Sequence, residues 1–132
     1  MSRRTASKAA AGAKAAAIAA PIDHSVLGTL LCNDDAAIRA VLGQFLASSA
    51  EDAAALCAAL GVGNRTGALR LAHRLKGGSR MVGAGRLADC CERAECAVRE
   101  GDAPSALATA AELEAEAKRL AAYLREWLAA DG

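Results

Sequence analysis

Residues 71–87, LAHRLKGGSRMVGAGRL, decide how the rest of the chain is read. They set a histidine and a lysine three residues apart, follow them with a glycine pair and end at a second glycine cluster. At 3.6 residues per turn, His73, Lys76, Gly77 and Arg80 share one face of a helix, and Leu71, Leu75, Gly78 and Val82 share another. The imidazole therefore stands beside a core stripe, among cations and next to a step without side chains. Histidine has a reference pKa of about 6.5, so an exposed one is largely neutral and nucleophilic near pH 7. Cationic neighbours draw in an anion.

Working outward, Gly83 and Gly85 enclose a tight turn that ends this third helix near Met81. Asn64 caps its start. Upstream, Ile38, Leu42, Phe45, Ser49, Ala53, Leu56 and Leu60 recur in steps of four and three, which makes one helix over about 34–60. Ser48-Ser49 is a point where it can bend, and Gly61 and Gly63 terminate it. Before it, Ser25 caps a short helix to about Leu31, with Val26, Leu27, Leu30 and Leu31 as a lid, and Asn33 to Asp35 cap the next element. Pro21 marks the entry to the fold, and His24 reads as an exposed turn residue.

Downstream, a fourth helix over about 84–100 buries Leu87, Cys91, Ala94 and Val98 and stops at Gly101. Asp102 and Pro104 start the last helix, with its stripe Leu107, Ala110, Leu113, Ala117, Leu120, Leu124 and Leu128. The pattern is all-α. Short loops between four amphipathic helices imply an antiparallel up-down-up-down four-helix bundle with a short additional N-terminal helix. Neither Gly61-Val62-Gly63 nor Lys76-Gly77-Gly78-Ser79 follows a strand, so neither is a nucleotide-binding loop.

Composition agrees with helices. In 132 residues, 54% hydrophobic, there are one Trp, one Tyr and one Phe, so the core is built from Ala, Leu and Val. Residues 1–20 are Ala-rich and basic, with Arg3, Arg4, Lys8, Lys14 and no acid; they read as a flexible linker or added leader, although a transit peptide has a similar composition. The domain proper is 21–132, and beyond the leader 12 basic residues face 15 acidic ones, a formal −3. Clustered basics with stacking aromatics are missing, which argues against nucleic acid. No apolar run of about 18 residues occurs on this reading, so the chain is not expected to span a membrane itself. The five cysteines, Cys32, Cys57, Cys90, Cys91 and Cys96, are an odd number on apolar helical positions and read as core residues. Without a CxxC pair or converging histidines, no metal site is expected.

The run Ala72 to Leu87 resembles the signature of histidine-containing phosphotransfer (HPt) domains: a histidine, a lysine three on, a glycine after it, a small pair, and a glycine ten on from the histidine. Here these are His73, Lys76, Gly77, Gly78, Ser79 and Gly83, and the resemblance spans about 23–128. Among relatives, the C-terminal domains of hybrid sensor histidine kinases of the BvgS and EvgS type look nearest. The resemblance implies a cytoplasmic phosphorelay carrier of two-component signalling, with no kinase core or ATP site of its own. His73 would take a phosphoryl group from a receiver-domain aspartyl phosphate and pass it to a response-regulator aspartate. No cofactor is implied on this chain, because Mg2+ belongs to the receiver. Nor is direct membrane contact.

Residue by residue, Lys76 would offset the charge of the phosphoryl group, Gly77 and Gly78 would clear space for the receiver, and Gly83 would turn the chain. Arg70, Arg74 and Arg80 lie on a solvated face that an acidic receiver surface can use. On this reading Lys76→Ala slows transfer and leaves the thermal melt almost unchanged. One position departs from the family: where a polar residue, often glutamine, orients the imidazole, this chain has Glu95, with Arg99 one turn on. A carboxylate favours the imidazolium and repels a phosphoryl group by roughly 0.7–3 kcal/mol at ~6 Å. Arg99 at i+4 can tie it up. Two other readings are a helical interaction module that docks a receiver-like partner without carrying phosphate, and a metal- or cofactor-binding bundle that uses His73 with cysteines.

Overall fold

Leucine and alanine at three- and four-residue spacing leave each helix one apolar stripe to bury, and the stripes converge on a single core. The computed structural model describes residues 21–130; 1–20, read as a leader, lie outside them, as do 131 and 132. Five helices follow one another: α1 His24–Leu30, α2 Asp35–Val62, α3 Arg65–Val82, α4 Gly85–Glu100 and α5 Ala103–Ala130. No strand occurs among the described residues. Each of the four long helices packs on two others, α2 on α3 and α5, and α4 on α3 and α5, while α1 leans on α3. Leu42, Leu56, Leu75, Leu87, Leu113, Leu120 and Leu124 fill the middle with almost no exposure.

The three turns between long helices are built alike. Gly63, Gly83 and Gly101 each adopt a left-handed conformation, with φ of 71°, 83° and 69°. The next residue donates its N–H back across the turn, Asn64 to Ala59 O at 2.9 Å, Ala84 to Ser79 O at 2.7 Å and Asp102 to Ala97 O at 2.9 Å. This closes the preceding helix in a Schellman motif. The same residue opens the next helix: Asn64 and Asp102 accept the Gly67 and Ser105 N–H groups through their side chains, both at 3.0 Å. Each connection is thus only two residues long.

Gly83 is held twice. Besides its positive φ, a Cβ there would lie 2.3 Å from the Asp23 carbonyl oxygen. Asp23 N–H donates to Gly83 O at 2.8 Å, which pins the entry of α1 to the end of α3.

Several expectations need correction. His24 is not an exposed turn residue but the first residue of α1, half-buried. Asp23, not Ser25, is the cap: its carboxylate accepts the Ser25 N–H at 3.0 Å and the Ser25 hydroxyl at 2.6 Å, which starts the helix earlier. The imidazole then shares a 2.5 Å hydrogen bond between Nε2 and the Tyr123 hydroxyl and stacks on Trp127, centroids 5.0 Å apart. α2 runs through Ser48-Ser49 unbroken and past Gly61 to Val62; Ser49 faces inward and its hydroxyl donates to Leu46 O at 3.5 Å.

In α5, Leu107 is 55% exposed, and Ala106 and Thr109 take the buried positions at that end. Leu30 of the lid is likewise exposed. Cys90 and Cys91 are core residues and Cys57 is half-buried, but Cys32 and Cys96 are exposed, Cys32 in a turn with φ of 54° and Cys96 on the outer side of α4. Finally, α2 is long and apolar enough by composition to cross a membrane, with a mean hydropathy of 1.4 over its most apolar window. Interspersed Ala, Gly and Ser disguise that run, whose Leu42, Phe45, Leu56 and Leu60 are buried in the bundle.

Candidate functional site

The helical spacing of α3 separates two faces as the sequence indicates. Leu71, Leu75 and Val82 are buried, whereas His73, Gly77 and Arg80 are exposed, and Lys76 lies between. His73 projects from the bundle with its side chain 80% exposed. Its Nδ1 is turned toward α4, 3.9 Å from Glu95 Oε2, and Nε2 makes no hydrogen bond or ion pair among the described residues. The nitrogen left with an open approach is therefore Nε2.

Glu95 is the unusual group. It is 2% exposed, a carboxylate at the α3–α4 seam. Such a charge persists only when paired. Lys76 Nζ holds Oε1 at 2.5 Å, and Arg99 Nη2 reaches Oε2 at 3.5 Å from the next turn of α4. The Lys76 side chain is itself only 16% exposed, so its pairing with Glu95 argues against an unchanged thermal melt on its removal. Lys76 carries both a buried counter-charge and a position one turn from His73. Nothing in the sequence pairs these two residues, 19 positions apart on different helices, except opposite charge. The neighbouring Cys91 thiol is pushed up to about 12, chiefly by burial and then by the Cys90 and Glu95 charges, so it stays a neutral thiol.

The arginines are less free than the sequence suggests. Arg74 makes two contacts with Asp52 of α2, Nη2 to Oδ1 at 2.8 Å and Nε to Oδ2 at 3.3 Å, which raises its already high pKa. Arg80 binds Glu92 of α4 at 2.8 Å. Arg70 is exposed one turn before His73. The two glycines also differ. A Cβ on Gly77 would meet nothing within 4 Å, whereas one on Gly78 would lie 3.7 Å from Phe45 Cε1. Gly77 leaves open space beside His73; Gly78 lies against α2. Ser79 is fully buried, its hydroxyl without a partner among the described residues.

Chemically, the site offers an exposed imidazole nitrogen, a cationic surround and a surface without side chains at Gly77. No group of three or more His, Cys, Asp or Glu side chains converges among the described residues.

Comparison with known proteins points one way. The sequence profile of the Hpt domain matches residues 40–123. No curated protein matches the chain in sequence. Among solved structures, histidine-containing phosphotransfer protein B (HptB) from Pseudomonas aeruginosa PAO1 is similar, with a TM-score of 0.74 and 29% identity over 83% of this chain and 96% of that one.

Proposed function

The chain belongs to the Hpt domain family and so to two-component phosphotransfer signalling, and on that premise we propose that His73 accepts a phosphoryl group from a receiver-domain aspartyl phosphate and passes it to a response-regulator aspartate. The observation that carries this reading is the exposed imidazole whose Nδ1 is turned to Glu95 while Nε2 has an open approach. The Nε2 lone pair attacks phosphorus in line, the bond from phosphorus to the aspartyl oxygen breaks, and its electron pair leaves on the carboxylate while Nδ1 keeps its proton. The reverse step loads the next receiver.

Phosphoryl transfer asks the protein for positioning and charge balance. Gly77 supplies the first by leaving room for the receiver backbone. Lys76 supplies the second, because a phosphoryl group on His73 competes with Glu95 for the ammonium. Arg70, Arg74 and Arg80 offer the receiver a cationic rim, and Mg2+ is the receiver's. This role fits a cytoplasmic carrier or the cytoplasmic part of a hybrid kinase. The two-residue connections support an up-down-up-down antiparallel course for the four long helices.

Incubation with a phosphorylated receiver tests this directly. We expect acid-labile, alkali-stable label that disappears in His73→Gln. Equal labelling of both proteins, or of neither, refutes it; docking without label would leave the interaction module in its stead. Gly77→Leu, which has space within the domain, should fold normally and bind the receiver poorly.

A further inference from the structure

The two oxygens of Glu95 are divided among three cations or potential cations. Oε1 belongs to Lys76 at 2.5 Å. Oε2 lies 3.5 Å from Arg99 Nη2 and 3.9 Å from His73 Nδ1. Arg99 and the imidazole therefore approach the same oxygen, and the guanidinium is nearer. At 3.9 Å the imidazole makes no hydrogen bond to this oxygen, whereas the guanidinium at 3.5 Å makes a long one. A carboxylate that closed this gap would bind the Nδ1–H group and favour the imidazolium, which has no lone pair for attack.

We propose that Arg99 is a positioning residue for His73: by engaging Glu95 Oε2 it keeps the carboxylate off Nδ1 and from stabilising the imidazolium, the form that cannot attack. The inference rests on the reading of His73 as the phosphoryl acceptor and adds to it a residue that need not touch the phosphoryl group. The other charges near His73 are already answered. On α3, Arg74 is paired with Asp52 of α2, Arg80 with Glu92 of α4, and Lys76 with Oε1; Arg70 stands exposed one turn away. Cys91 of α4 is a neutral thiol. Among the described residues Oε2 is the carboxylate oxygen within 4 Å of the ring nitrogens, and Arg99, four residues along α4, is set by helix geometry to reach it. Its guanidinium is 60% exposed, so water is available to replace it when it is removed.

The test follows the His73 ring protons by NMR against pH in the unphosphorylated full chain, without any receiver, so its outcome is separate from whether His73 carries phosphate. In Arg99→Gln the midpoint should rise by about one pH unit, the scale of a carboxylate gained at hydrogen-bond distance. Arg99→Lys, which keeps a cation near the oxygen, should restore most of the wild-type value. In Glu95→Gln the same Arg99→Gln change should move nothing. An unmoved midpoint in Arg99→Gln overturns the proposal. So does an equal rise in the Glu95→Gln background, because Arg99 would then act on the ring directly and not through the carboxylate.

Discussion

Replacing Lys76 by methionine removes the ammonium but keeps the aliphatic stem, and leaves Glu95 in the seam between α3 and α4 with Arg99 alone, at 3.5 Å. Breaking a buried pair from one side costs about 3–5 kcal/mol. Two features lower that figure: Arg99 remains, and the carboxylate can escape by taking up a proton. With an unfolded-state glutamate pKa of about 4.3, protonation at pH 7 costs about 3.7 kcal/mol, which caps the penalty. A loss of about 2–3 kcal/mol is therefore expected, or roughly 8–12 °C in Tm at about 4 °C per kcal/mol for a domain of this size.

The converse change, Glu95→Gln, also removes a desolvated charge and leaves the lysine near the surface, so it should cost about 1 kcal/mol or less. In the double variant the penalty should fall back to that of Glu95→Gln, a coupling above about 1 kcal/mol. The sign with pH follows: a glutamate that takes up its proton more readily folded than unfolded loses stability as pH rises, so the Lys76→Met penalty should be large at pH 7.5 and small at pH 5. Circular dichroism melts at the two pH values measure all four proteins. Equal and additive losses from the two single changes, without pH dependence, would refute the account of Lys76 as the counter-charge of a buried carboxylate.

Three further outcomes are expected. Burial lowers the pKa of His24, with a smaller opposing pull from Asp23; the unfolded chain then binds more protons below about pH 6.5, so stability present at pH 7.5 should fall by pH 5.5, and His24→Phe should flatten that dependence in thermal melts. A wild-type Tm that does not fall over that range would contradict it. Gly83→Ala meets both a positive φ and the Asp23 carbonyl, so it should lose more than about 2 kcal/mol in urea titration, whereas Gly77→Ala, in open space on a helix, should gain up to about 1 kcal/mol. A chromogenic disulfide at pH 8 should label Cys32 and Cys96 rapidly and reach Cys90 and Cys91 only on unfolding; fast labelling of Cys91 would show that the core opens on that timescale.

The helices were legible because leucine and alanine repeat with a single period and glycines punctuate it: the ends of α3 and α4 fall within one residue of the sequence reading. The motif on α3 was legible for the same reason, since residues three and four apart share a face whatever lies around them. What escaped was the pairing of charges between helices. Lys76 with Glu95 and Arg74 with Asp52 depend on which stripes meet, and opposite charges on two amphipathic helices do not say so alone. His24 escaped because an imidazole is as ready to lie against an indole as to face water, and only the end of α5 decides between them. Cys96 escaped because cysteine counts as apolar, whereas its helical position points outward.

The contact of His24 and Arg39 with Trp127 also has a use in the laboratory. The protein has one tryptophan. Its ring is stacked by the imidazole and crossed by the Arg39 guanidinium, 5.3 Å from the ring centroid, where the first turn of α1 meets the last turns of α5. A change in indole emission therefore reports that junction and no other part of the bundle. Release of α1 exposes the ring to water, and protonation of His24 puts a quencher against it. The chain carries a native optical probe remote in sequence from His73, so the seating of its entry helix can be followed without a label while the face around His73 is occupied.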